Sequence, residues 1–220
     1  NMNINLNLKP TIFKYYQEPL YFMNNCTWKN PWGAGAQLSH YLFFCVYYKQ
    51  NPILIKKVLR DLEKYKHSDG WYSEKTSDKR RINGIMKILT GFDIIKKLID
   101  QDMAVTIIDS ILDTKKINSG GCSIYDLCYV IIRCHERVNH RSSECYQFVE
   151  DIYQVCIQHQ QSDGGFKYDK DNDYGTKYYG VKIVPDGFYG CVHPTVLFMN
   201  TLAMIDKFLN KGLNLQFLIS

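Results

Sequence analysis

Gln160-Gln161-Ser162-Asp163-Gly164-Gly165-Phe166 decides the fold of this chain, because it is the fullest of several related turns. Ser68-Asp69-Gly70-Trp71 is an earlier copy, and Asn118-Ser119-Gly120-Gly121 a degraded one between them. The marks fall at Asp69, Ser119 and Asp163, 50 and then 44 residues apart, a recurrence typical of stacked supersecondary units. Asn30-Pro31-Trp32-Gly33 begins the series upstream. An Asp-Gly pair makes a tight turn, and the aromatic after it is placed to pack between adjacent helix pairs.

Between the turns the sequence has helical period. Leu54, Val58, Leu59 and Leu62 share one face of a helix predicted from about Pro52 to Tyr65, with lysines opposite. Pro52 suits its first turn. Met103–Leu112 and Cys145–Ile157 repeat that amphipathic pattern. Leu38–Tyr48, Ile82–Leu89, Leu127–Ile132 and Val196–Ile205 are instead apolar nearly all round, as helices covered on most sides are. Seven helices follow, buried ones alternating with amphipathic ones. The fold expected is all-α, an incomplete or short α/α toroid over residues 31–210, with an N-terminal extension at 1–30 and a tail at 211–220. Strand-like alternation is confined to pieces such as Val181–Val184, inside a long connection from Asp163 to Cys191. Connections of that length are often functional. Asp169, Asp171 and Asp173 echo a calcium loop, but Gly175 falls one place late and Gly180 replaces the closing glutamate, so a solvated loop is expected.

The 220 residues fit one domain. The formal charge of +5 is spread among interleaved acids and bases such as Lys56, Lys57, Arg60, Asp61, Glu63, Lys64 and Lys66. That pattern reads as solvated helix faces, and no nucleic-acid partner is expected. No apolar run reaches bilayer length, and Asn1–Leu8 lacks the layout of a signal peptide. No membrane span is expected. Cys45, Cys128, Cys134 and Cys156, four of the eight cysteines, sit in apolar helical runs, and no CxxC pair occurs. Reduced thiols in a cytoplasmic setting are the expectation. The six-residue recurrence of Cys122, Cys128 and Cys134, and the placing of Cys191 before His193, match no zinc-finger spacing.

The Gln-Gln-Ser-Asp-Gly-Gly-Phe turn followed by a buried helix resembles the repeat of the terpenoid cyclase and protein prenyltransferase superfamily, whose members are α/α toroids. Tyr125-Asp126-Leu127-Cys128-Tyr129 and, 65 residues after Cys128, His193 resemble the zinc ligands of prenyltransferase β subunits, each opening an inner helix. The resemblance implies a zinc ion held by Asp126, Cys128 and His193, its fourth position open to a substrate thiol. The family's ring has about twice as many inner–outer helix pairs, which implies a ring completed by a second copy or by upstream sequence. Its basic pyrophosphate cluster and the cyclases' aspartate-rich motif have no counterpart, so prenyl transfer is not the function expected.

The residues also support a centre without metal. Asn83, Asp126 and His193 lie near the starts of three buried helices, with Lys87 one turn beyond Asn83, and Gln37 and His40 as the nearest groups on the first. Helix capping explains any one of them; together they predict a polar pocket at the N-terminal ends of the inner helices. Asp126 and His193 form the acid–base couple. Asn83, Lys87, Trp32, Trp71, Tyr72 and Tyr129 are the candidate substrate contacts, and Phe166 and Tyr168 add aromatics at the turn end. Cys128 points about 200° from Asp126 on an ideal helix, so both meet one metal only if Asp126 occupies a non-helical cap position. The expected substrate is a small or lipid-like molecule. Two other classes stay open: a non-catalytic helical-repeat binding module, and a carbohydrate-processing enzyme pairing Asp126 with Asp186.

Overall fold

A computed structural model describes residues 19–117, 120–170, 177–178, 181–182 and 190–215. They form eight α-helices: α1 (Pro19–Asn25), α2 (Pro31–Tyr47), α3 (Pro52–Leu62), α4 (Asp78–Ile94), α5 (Gln101–Thr114), α6 (Gly121–Val138), α7 (Ser142–Gln158) and α8 (Val192–Leu209). Two short hairpins accompany them, β1 (Lys66–His67) with β2 (Gly70–Trp71) and β3 (Lys177–Tyr178) with β4 (Val181–Lys182). The all-α expectation holds. No helix among these residues is long and apolar enough to cross a membrane, and all eight cysteines carry free thiols. Asp171, Asp173, Gly175, Gly180 and Asp186 lie outside the described residues.

Local chemistry starts and stops the helices. Asn51 accepts the amide of Ile53 at 3.0 Å ahead of Pro52, and Asp100 accepts that of Met103 at 3.2 Å; each satisfies a donor that the helix start leaves orphaned. Lys115, Asn139 and Asn210 end α5, α6 and α8 in the left-handed conformation, each returning its amide to the last turn.

The unit repeats three times: α3, hairpin, α4; α5, turn, α6; α7, turn, α8. In the first turn Tyr72 donates its hydroxyl to Asp69 Oδ1 at 2.7 Å, and Arg81 Nη1 donates to the Asp69 carbonyl at 3.1 Å. In the third, the Asp163 carboxylate accepts the amides of Gly165 at 3.0 Å and Gly190 at 2.9 Å, clamping the turn onto the segment that enters α8. The aromatic after each Asp-Gly packs on the helix that its own turn leads into. Trp71 meets Phe92 of α4 edge-on at 5.6 Å, and Phe166 stacks on Phe198 of α8 at 5.2 Å.

The helices α2, α4, α6 and α8 run parallel, side by side in sequence order. Early residues of each touch early residues of the next, as Gly35 meets Gly84 and Gly121 meets Phe198. Late residues do the same, as Arg133 meets Asp93 and His135 meets Phe208. Amphipathic α5 packs on α6 and α7 on α8. The segment before residue 31 contains α1, which packs against α3; its Met23, with Cys26 and Trp28 just beyond the helix, joins the core. One expectation needs correction: α4 begins about a turn before its apolar run, because Asp78, Lys79, Arg80 and Arg81 are helical although charged, and α6 begins at Gly121, six residues before Leu127. Arg81 is buried, with its guanidinium held by Asp69, Asp78 and Ser110.

The α2–α4 contact is a backbone approach through glycines. A Cβ on Gly84 would lie 2.6 Å from Pro31 Cβ, one on Gly35 2.9 Å from the Gly84 carbonyl oxygen, and one on Gly91 3.0 Å from Ser39 Cα. Gly84→Ala must therefore push two rigid helices apart, and chemical denaturation is expected to show a loss of about 1–3 kcal/mol. An unchanged midpoint would show that the contact is looser than this geometry.

Candidate functional site

Asn83 and Asp126 each lie five residues past the first residue of their helix, so the parallel packing of α4 and α6 sets them face to face. The Asn83 side-chain amide donates to Asp126 Oδ2. Neither residue caps a helix; both sit inside the second turn, with Ser77 and Gly120 at the cap positions. Asp126 is 3% exposed. Burial raises its pKa from 3.8 to about 7, against the opposing pull of Lys87 and Lys79. A buried carboxyl held near neutrality by desolvation and near cations is a group able to give and take a proton.

The start of α6 is bound to the third turn through Tyr168. Its carbonyl accepts the amide of Gly121 at 3.0 Å, and its ring lies against Gly120, which has φ +99° and leaves only 3.0 Å to a hypothetical Cβ. The Tyr168 hydroxyl pairs with Cys122; burial first, then that pairing, lift its pKa, and the nearby Asp126 charge adds to the rise. Burial likewise raises the Cys122 thiol. The Tyr168 ring is also stacked with His193, at 6.1 Å between centroids. The order is thus Asn83, Asp126, Tyr168 with Cys122, then His193. His193 is exposed and lies one residue past the start of α8, nearer the helix end than Asp126 is in α6.

Of the residues singled out in the sequence, Asn83 and Asp126 are hydrogen-bonded, Lys87 is near enough to act on the Asp126 charge, and His193 lies against Tyr168. Others do not. Trp71 is 4% exposed and belongs to the core. Tyr72 braces the first turn through Asp69 and stacks on His67 at 4.1 Å. The Tyr129 hydroxyl is given to Asp93, which also takes Arg133 Nη2 at 2.7 Å, on the side of α6 away from the turns. Trp32 is half-exposed on the first turn of α2. An aromatic near a turn is recruited by whichever surface buries it best: for Trp71 that is the core beside Phe92, and for Tyr72 the turn itself.

The metal set does not assemble. Among the described residues, no three His, Cys, Asp or Glu side chains are grouped to hold a metal ion. Asp126 is helical rather than at a cap, so Cys128 diverges from it. The Cys128 thiol is wholly buried beside Cys156 of α7, and burial drives its pKa well above the usual value. Asp126, Cys128 and His193 therefore do not fit a zinc ion.

Residues missed in the sequence are Tyr168 as a bridge, Cys122 as its partner and Lys79 as a second cation. The position of Tyr168 two residues beyond Phe166 was the available signal. Compared with models of protein families, with characterised proteins and with solved structures, the chain matches none.

The raised pKa of Asp126 links to stability. The folded protein holds this proton more tightly than the unfolded chain, so stability falls as pH rises from about 4 to about 7 and is level above. Asp126→Asn removes the slope. Wild type should lose up to roughly 4 kcal/mol relative to Asp126→Asn across that interval, read by denaturation at several pH values. Parallel curves would show that Asp126 ionises normally.

Proposed function

We propose that this chain is an α/α-toroid enzyme in which Asp126 acts as general acid–base in a polar pocket at the N-terminal ends of the inner helices. One observation carries this reading: a carboxyl buried between two parallel helices, fixed by the Asn83 amide, with its pKa raised to about 7. A structural carboxylate gains most when its partners keep it charged. This one has a neutral amide as its direct partner, and Lys79 and Lys87 act only partly against burial.

Asn83 holds the rotamer of the acid, and Lys87 and Lys79 stabilise its anion after the proton leaves. Tyr168 sets the position of the His193 imidazole at the rim. No step uses a metal. The turn repeat supports the toroid reading, through its resemblance to the terpenoid cyclase and prenyltransferase superfamily, and leaves the chemistry to the site.

The test compares wild type with Asp126→Asn on a soluble metabolite extract, following substrate loss and product gain by mass spectrometry. Wild type is expected to convert a compound that the variant, equally helical by circular dichroism, converts about 10²–10⁴-fold more slowly. Equal conversion by the variant overturns the role of Asp126, and no conversion by wild type overturns the enzyme reading.

A second reading, association through the inner layer, is favoured by apolar stripes on the two end helices of the row. Phe43, Val46 and Tyr47 of α2, and Val192, Val196 and Met199 of α8, are exposed at helical spacing. Two copies joined through these stripes would extend the row toward a closed ring. Light scattering should then give a dimer, and Tyr47→Lys with Met199→Lys a monomer; a monomeric wild type at high concentration refutes it.

A further inference from the structure

Asn83 and Lys87 lie four residues apart in α4. They therefore stand one above the other on the same face, with Cβ atoms about 5–6 Å apart. Both are half-buried. The Lys87 stem is pressed on α2, its Cβ 3.1 Å from where a Cβ on Gly35 would lie. Four flexible carbons let its amine reach a neighbour one turn away, and no ion pair among the described residues ties that amine down. Across the seam the Asn83 amide nitrogen donates to Asp126. Lys87 is also the cation that acts most on the Asp126 charge. An amine, a primary amide and a buried acid that touches the amide nitrogen thus share one small region.

Those groups are the parts of an amide exchange. We propose that the side chains of Lys87 and Asn83 join through an isopeptide bond, with Asp126 moving the protons. The Asp126 carboxylate takes a proton from the Lys87 ammonium, and the freed Nζ lone pair attacks Asn83 Cγ to form the Nζ–Cγ bond. Asp126 then hands its proton to Nδ2, and the Cγ–Nδ2 bond breaks with its electron pair leaving on nitrogen. The departing ammonia takes the surplus proton from the new amide and leaves as ammonium. One ammonium and one primary amide become one secondary amide and one ammonium. Asp126 ends ionised as it began, and no oxidant or reductant takes part. The new amide keeps an N–H for Asp126 and closes one turn of α4 covalently. The free amine is rare, but the reaction has to occur only once per chain. Lys79, one turn the other way from Asn83, is exposed and acts less on Asp126, which makes Lys87 the nucleophile. The inference rests on the acid–base reading of Asp126 and turns it on the chain itself.

The experiment is mass spectrometry of the intact chain, kept folded at neutral pH, and of its tryptic peptides. Wild type should weigh one ammonia less than its sequence. Trypsin, blocked at an acylated lysine, should release residues 82–96 as a single peptide that carries the loss. Lys87→Arg keeps the charge and the bulk, and should have the full mass. Asp126→Asn, checked for helicity by circular dichroism, should form the bond about 10²-fold more slowly. Full mass in wild type after prolonged incubation overturns the proposal and spares the acid–base reading. Ammonia loss that persists in Lys87→Arg also overturns it, since attack on Asn83 by the Gly84 backbone amide sheds the same ammonia. A bond mapped to Lys79 overturns it as well. A bond formed at the wild-type rate in Asp126→Asn overturns both the proposal and the acid–base reading of Asp126.

Discussion

The structure depends on four long helices packing parallel, the first two of them at backbone contact. Glycines at the α2–α4 seam, and Gly165 against Gly190 where a Cβ would come within 2.4 Å of backbone, let main chains approach as side chains would forbid. Parallel packing has an electrostatic consequence. All four of these helices start at the same end, so partial positive charges and turn residues collect there. Asp126 arises from that geometry: it is the acid on α6 at the depth where α4 presents Asn83.

Two effects compete for the ionisation of Asp126. The helix starts and the Lys79 and Lys87 charges favour the anion, by about 0.3–1 kcal/mol for an exposed helix end. Burial favours the neutral acid and is the larger effect, since the pKa rises to about 7. Asp163 and Asp69 show the contrast within one protein. Asp163 accepts two backbone amides and Asp69 engages Arg81 and Tyr72, so their carboxylates work as turn staples. The same residue type is structural at the turns and chemically poised one turn into a helix, because desolvation without a direct charged partner occurs only at the latter.

Much of the architecture was legible. The spacing of Asp69, Ser119 and Asp163 gave the repeat, and the contrast between Leu54–Leu62 and Leu127–Ile132 gave the two kinds of helix. The start of α4 was not legible, because charged Asp78–Arg81 carries no apolar period and is held in place by Arg81 reaching Asp69 and Ser110. At the site, Asn83, Lys87 and Asp126 could be read from matching depth. Tyr129 and Trp71 could not be told from pocket residues, since sequence separation does not say which side of a helix meets Asp93 or Phe92.

By itself the sequence determined the helices, their order and the turn chemistry, all consequences of interactions within a few residues along the chain. Only the tertiary structure decided that Asp126 meets Asn83 while Cys128 turns toward Cys156, and that Tyr168 bridges to His193. Those outcomes depend on the rotation of each helix about its axis, which is fixed by the glycine contacts and the shared core, and by no local signal.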